Sequence, residues 1–182
     1  MITITQLRQD ILRPALESLE LYSEDREELL IATAAQESHC GEYVRQVCGP
    51  ALSMWMIEPI TYHSLWNNFI RLPKNKELLR NLLTSNGWWD NSKLENHHIP
   101  NAEEMVTNLR FAAQMAAIFY LDVPVRLPKA SDLNAIWAYY KKYYNTEQGA
   151  ATESEFISNY YKFAKKGNGG ANGPARFVKK PV

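Results

Sequence analysis

The stretch LLIATAAQESHCGEYVRQVCGPALSMWMIEPIT, residues 29–61, decides how the chain is read. It begins with a run that is apolar except for Thr33, the pattern of a helix surrounded by protein. Just upstream, SEDREE offers Ser23 as an N-cap and acids in the first turn, where they face the positive end of the helix dipole. The helix then closes on a carboxylate, Glu37, followed by Ser38. A polar, glycine-containing loop comes next, then the Met/Trp-rich run Met54–Trp55–Met56, stopped by Pro59. A carboxyl group at the end of an apolar helix is partly stripped of water, which disfavours its charged form and raises its pKa. Such a group holds a proton near neutral pH and can hand it over, as a general acid must. A helix-terminal glutamate pointing into solvent fits the same spacing, so the pattern alone leaves both readings open.

Outward from this stretch the chain reads as helix after helix. TQLRQDILRPALESLELY puts Leu7, Ile11, Leu12 and Ala15 on one face, with Pro14 as an expected kink or break. KNKELLRNLLTSNG repeats leucines at 78, 79, 82 and 83 and stops at Gly87. NAEEMVTNLRFAAQMAAIFYLDVP is expected to be one long helix from an Asn101 cap, with Met105, Leu109, Ala112, Ala116 and Phe119 in a stripe and Pro124 beyond its end. SDLNAIWAYYKKYY is expected to start at Ser131, and TESEFISNYYKFAKK pairs Thr152 with Glu155 as a capping box. No segment sustains the alternation of a strand, although a short hairpin fits between residues 41 and 55. The expected fold is all-α, or α with one small hairpin. Residues 1–166 form the folded domain, and 167–182, Gly/Asn-rich and then basic, form a flexible tail.

Composition narrows the function classes. The 182 residues carry 20 basic and 20 acidic side chains, so no net field recruits nucleic acid or a membrane surface. No apolar run approaches the roughly 20 residues needed to cross a bilayer, so membrane insertion is not expected. MITITQLRQDILRPALESL lacks the apolar core of a secretory signal, which predicts a chain made in the cytoplasm. The two cysteines, Cys40 and Cys48, are expected as reduced thiols there, and a disulfide remains open if the protein acts outside a cell. Neither that pair nor His97 and His98 has the ligand spacing of a metal site, and no phosphate loop, Gly-x-Ser-x-Gly or dinucleotide fingerprint appears. Metal and cofactor are both expected to be absent. The lysine pairs read as solvated faces, and a monomer is expected.

The Glu37–Ser38 pair, followed by GPALSMWMIEPIT, resembles the soluble lytic transglycosylase family of the lysozyme-like superfamily. That family closes a helix with Glu-Ser and continues with Gly-Ala-x-Gly-Leu-Met-Gln-x-x-Pro-x-Thr. Here Ala51 takes the Ala, Ile57 the place after the Gln, Pro59 the Pro and Thr61 the Thr. The family's later Ala-Tyr-Asn is similar to YYNT, at Tyr144 and Asn145. The combination also looks like the muralytic domains of bacteriophage virion proteins and endolysins. The resemblance implies a multi-helix domain with a cleft, and peptidoglycan glycan strands as partner. It implies cleavage of the β-1,4 bond between N-acetylmuramic acid and N-acetylglucosamine. Glu37 would be the sole acid/base, with Ser38, Ser53, Met56, Glu58, Tyr144 and Asn145 contacting substrate and the Tyr144 hydroxyl near Glu37. Action in the periplasm or cell wall follows, reached through a holin or inside a virion.

This chain departs from the family pattern at two places. Ser53 stands where the family has Gly, and Met56 where it has Gln; a thioether cannot replace an amide in holding a sugar hydroxyl. Glu58 is an additional carboxylate, either a second catalytic acid of the two-carboxylate kind or a solvated charge before a turn. With Glu58 or Asp90 activating water, the product would be that of a hydrolytic lysozyme. A non-catalytic glycan-binding or structural virion protein is the remaining alternative. Trp55, Tyr62, Trp66, Trp88, Trp89, Tyr139, Tyr140, Tyr143 and Tyr144 exceed what a core of this size needs, which points to sugar-stacking platforms among them. Trp66 and Trp137 are assigned to the core, and one of the adjacent indoles in NGWWDN to a cleft wall or a loop clamp.

Overall fold

The computed structural model describes residues 2–88, 99–146 and 149–165. The chain is all-α: among the described residues it forms helices joined by turns, and two isolated bridges, Arg45 with Leu52 and Leu52 with Ile57, occupy the region where the sequence left room for a hairpin.

Helix α1 (Ile4–Gln6) continues through a π-helical stretch, Leu7–Leu12, into α2 (Arg13–Ser18). Pro14 therefore does not break the helix. Proline lacks an N–H and its ring crowds the carbonyl four residues back, and the wider turns before it accommodate both defects. Arg8 and Arg13 then reach Glu27, and Arg8 also reaches Glu28, on the next helix. Glu27 is buried; burial pushes its carboxyl pKa up, and the hydrogen bonds from Arg13 and Arg8 outweigh that and bring it below the usual range.

Helix α3 (Glu24–Ser38) begins where Ser23 Oγ accepts from the Arg26 N–H at 3.1 Å. Every residue from 29 to 35 is buried, as the sequence predicts for a helix enclosed on all sides. It packs against α7 (Leu109–Leu121), α8 (Leu133–Tyr140) and α9 (Glu153–Asn159). Helix α3 stops at His39, whose left-handed backbone (φ 54°) turns the chain into the loop that ends at α4 (Pro59–Leu65). Gly41 continues that turn at φ 90°, with the Met54 side chain 3.3 Å from where a Cβ would sit. Trp66, buried as expected, opens a π-helical continuation of α4, and α5 (Lys76–Ser85) follows, ending before Gly87 at φ 72°. Trp137 is half-buried against Phe156.

Three boundaries differ from the sequence expectation. The single long helix from Asn101 is two, α6 (Glu104–Thr107) and α7, because Asn108 adopts an extended backbone (φ −101°, ψ 92°) and caps the Phe111 N–H at 3.0 Å. The cap of α8 is Asp132 rather than Ser131. At α9, Thr152 accepts from the Glu155 N–H at 3.4 Å, half of the expected capping box. The complete box instead lies at Thr3 and Gln6.

Asn108 also ties the helix junction together. Its amide donates to Asn86, whose own amide donates to the fully buried Gln114, which in turn donates to Ser18 and Ser85. Replacing Asn108 with Ala removes a cap and one end of this network, and should destabilise the protein by about 1–3 kcal/mol in urea unfolding.

Candidate active site

Glu37 lies on the last turn of α3, half-buried, and forms part of the wall of a cleft of about 330 Å³. Met56 and Glu58 line the same cleft, so three of the residues singled out in the sequence meet there. The lip is formed by the loop that follows α3, which adds Tyr43, Arg45, Gln46, Val47 and Ala51 to the lining. Ala51 was matched to the family's Ala in the sequence; the other four carry no helical or strand periodicity, and only their place between Glu37 and Pro59 could have pointed to them.

Several buried side chains fix the lip to the helix that carries Glu37. Ser38 Oγ donates to the Met54 carbonyl at 2.7 Å and accepts from the Gly41 N–H at 3.0 Å. Trp55 is buried, and its indole N–H donates to the Leu30 carbonyl at 3.0 Å. The Tyr144 hydroxyl donates to the Trp55 carbonyl. Within the lip, Ser53 Oγ accepts from the Trp55 N–H at 3.2 Å. Ser53 and Met56 both adopt left-handed backbone, at φ 70° and 48°, a conformation that carries strain in residues with a Cβ.

Burial pushes the Glu37 carboxyl up to about 7, while the hydrogen bond from Tyr140 pulls in the opposite direction. That bond runs from the Tyr140 hydroxyl to Oε1 at 2.6 Å. Tyr140 itself is held well above the usual phenol range, chiefly by burial and then by the neighbouring carboxylate, so it remains a donor. Tyr144 stacks on Tyr140 with ring centroids 5.9 Å apart, and Tyr120, bonded to Thr33 at 2.8 Å, closes the group. Removing the Tyr140 hydroxyl removes a hydrogen bond that favours the charged form. Tyr140→Phe should therefore raise the Glu37 pKa above 7, as read by carbon-13 NMR of the labelled carboxyl.

The other sequence candidates lie elsewhere. Ser38 and Ser53 are buried with their hydroxyls on the lip's own backbone, so neither faces the cleft. The tyrosine on Glu37 is Tyr140, not Tyr144. Asn145 accepts from Lys141 Nζ at 2.8 Å and does not line the cleft. Trp55, Tyr62, Trp66, Tyr139 and Tyr140 belong to the core rather than to a sugar platform. Trp88 is half-buried edge-on to Phe111. Among the described residues, Tyr43, 43% exposed, is the aromatic side chain that lines this cleft.

Cys40 is buried, with its thiol pushed up to about 12 mainly by burial, and Cys48 is exposed; both are free thiols. Trp89, Asp90, His97, His98 and the tail 167–182 lie outside the described residues. Among the described residues there is no cluster of His, Cys, Asp and Glu that could hold a metal, and no helix long and apolar enough to cross a membrane.

A larger cavity, about 420 Å³, lies between α4 and the end of α7, but Glu37 is not on its wall. Chemistry rather than volume makes the smaller cleft the candidate. It combines a desolvated carboxyl that is half-protonated near neutral pH, a tyrosine that orients it, and an exposed second carboxylate at Glu58. That arrangement can protonate a leaving oxygen and then accept a proton back. Compared with known proteins, the chain matches no family model, no curated protein and no solved structure.

Proposed function

We propose that the protein cleaves the β-1,4 bond between N-acetylmuramic acid and N-acetylglucosamine in peptidoglycan, as a lytic transglycosylase with Glu37 as its acid and base. The observation that carries this reading is the Glu37 carboxyl, raised to about 7 and held by Tyr140 at the wall of an open cleft. Its match to the Glu-Ser, Pro-x-Thr pattern of the resembled family supplies the substrate class. The backbone adds support: Ser53, where that family has glycine, adopts a φ of 70° that glycine would occupy without strain.

Protonated Glu37 gives its proton to the glycosidic oxygen as the bond to the muramyl C1 breaks. The resulting carboxylate takes the proton of the muramyl 6-hydroxyl as that oxygen bonds to C1, closing a 1,6-anhydro ring and returning Glu37 to its starting state. One carboxyl serves both steps, and no water is consumed.

A second reading has a specific observation in its favour. Glu58 is exposed on the same cleft as Glu37, and a second carboxylate there could activate water, giving ordinary hydrolysis. Mass spectrometry of purified sacculi after digestion separates the two. Transglycosylase action yields 1,6-anhydromuramyl ends, whereas reducing muramic acid as sole product would assign Glu58 or Asp90 the second role. Binding to sacculi with no soluble product would leave a glycan-binding virion protein.

A further inference from the structure

Among the described residues, Arg45 is the cationic side chain that lines the Glu37 cleft, beside the carboxyls of Glu37 and Glu58 and the Tyr43 phenol. Its guanidinium takes both oxygens of Glu103, at 3.1 and 2.5 Å, in the fork geometry that suits any carboxylate. The pair is open to water, with side-chain exposures of 51% and 53%, and an exposed ion pair stabilises little. An arriving carboxylate can therefore take Glu103's place without loss of hydrogen bonds.

We propose that Arg45 selects substrates that carry a carboxylate beside the scissile bond, with Glu103 as the internal ligand that the substrate displaces. This rests on the glycan-cleaving reading and names what the cleft recognises besides sugar. In peptidoglycan such carboxylates belong to the stem peptide or, where the peptide has been removed, to the lactyl ether of the muramyl residue. Tyr43 and Val47, the latter 75% exposed, provide apolar surface on the same lip for the carbon skeleton that bears the carboxylate.

The test is steady-state kinetics of the full chain on two sacculus preparations, one native and one with its carboxylates converted to methylamides by carbodiimide coupling. Circular dichroism confirms the fold of each variant. On native sacculi Arg45→Gln should raise KM by about tenfold, the worth of a charge-assisted bond, and leave kcat within about twofold. On the amidated sacculi parent and variant should match. Arg45→Lys should fall between them, because it keeps the charge and loses the fork.

Glu103→Gln breaks the same pair from the other side and should act in the opposite direction, lowering KM on native sacculi. If Arg45 merely braced the lip, Arg45→Gln and Glu103→Gln would weaken activity alike on both preparations, and that result overturns the proposal. Equal KM values for parent and Arg45→Gln on native sacculi overturn it too, while leaving the glycosidase reading intact. A parent that releases no product from either preparation removes that reading, and this inference with it. Strands stripped by an amidase identify the source. A penalty seen only with stems attached identifies the peptide carboxylates, and one that persists on the stripped strands shows that the lactyl carboxylate freed by the amidase takes the same place.

Discussion

Glu37→Gln is expected to lower the rate of glycan cleavage by roughly two to four orders of magnitude while leaving the protein better folded than its parent above neutral pH. Glutamine keeps the shape of the side chain and an acceptor for the Tyr140 hydroxyl, but it has no proton to give. The stability gain follows from where the parent carboxyl titrates. In the unfolded chain it ionises near 4.5, and in the folded protein near 7. Between those values the folded state keeps a proton that the unfolded state has released, so the parent loses stability as pH rises through that window. The penalty levels off above 7 at no more than about 3 kcal/mol, and glutamine does not incur it. At pH 8 the variant should melt several degrees higher than the parent, and at pH 4 the difference should vanish. Glu58→Gln, made in parallel, should cost far less activity, since Glu58 is exposed. A folded Glu37→Gln that still cleaves within about tenfold of the parent would refute the assignment, because a lost general acid costs more than that.

Trp55→Ala is expected to cost about 3–5 kcal/mol in stability, the range for emptying a buried aromatic site. Trp55 has no exposed surface, and its indole is hydrogen-bonded to α3 at Leu30. Its carbonyl receives the Tyr144 hydroxyl, so the same residue joins the lip to the segment that follows α8. Against a total stability on the order of 5–15 kcal/mol, such a loss should lower the melting temperature by 10 °C or more, by order of magnitude. Activity should fall as well, since the lip that faces Glu37 loses its anchor. Trp55→Phe keeps a ring in the site but loses the indole N–H and part of the buried volume, and should cost less than the alanine, about 1–3 kcal/mol. A Trp55→Ala protein that unfolds at the parent's urea midpoint would show that the lip is not anchored this way.

The parts legible in the sequence were those carried by periodicity and by short-range capping. The run at 29–35 announced a buried helix, Ser23 its start and Gly87 the end of α5. The run's closing carboxylate left Glu37 open between a desolvated acid and a solvated helix end, and the resemblance to the Glu-Ser, Pro-x-Thr pattern singled it out together with Met56 and Glu58. Asn108 was not, since one asparagine inside an apolar stripe is a mild helix former and nothing local shows that its side chain has turned back to cap Phe111.

The tyrosine that meets Glu37 is four residues before the one that the family resemblance indicated. Residues four apart share a helix face, and Tyr140 and Tyr144 stack on each other there, so spacing alone does not say which of the two hydroxyls meets Glu37. Tyr140 reaches Glu37, and Tyr144 is carried on to the Trp55 carbonyl. Ser38 and Ser53 illustrate a different limit: a hydroxyl beside a catalytic-looking residue serves substrate or backbone equally well by sequence, and here both serve backbone. Tyr43 and Arg45 sit in a loop with no period at all, so their place on the cleft emerges only in three dimensions.

The role of Glu37 is tested most directly by two titrations of the parent protein in the same buffers. One is the pH dependence of kcat/KM for release of muropeptides from sacculi, and the other is the carbon-13 shift of the Glu37 carboxyl. If Glu37 must be protonated to begin each turnover, both curves share a midpoint near 7, with the rate falling tenfold per pH unit above it. A carboxyl that titrates near its ordinary 4.5, beneath a rate that holds steady well above that pH, would contradict it.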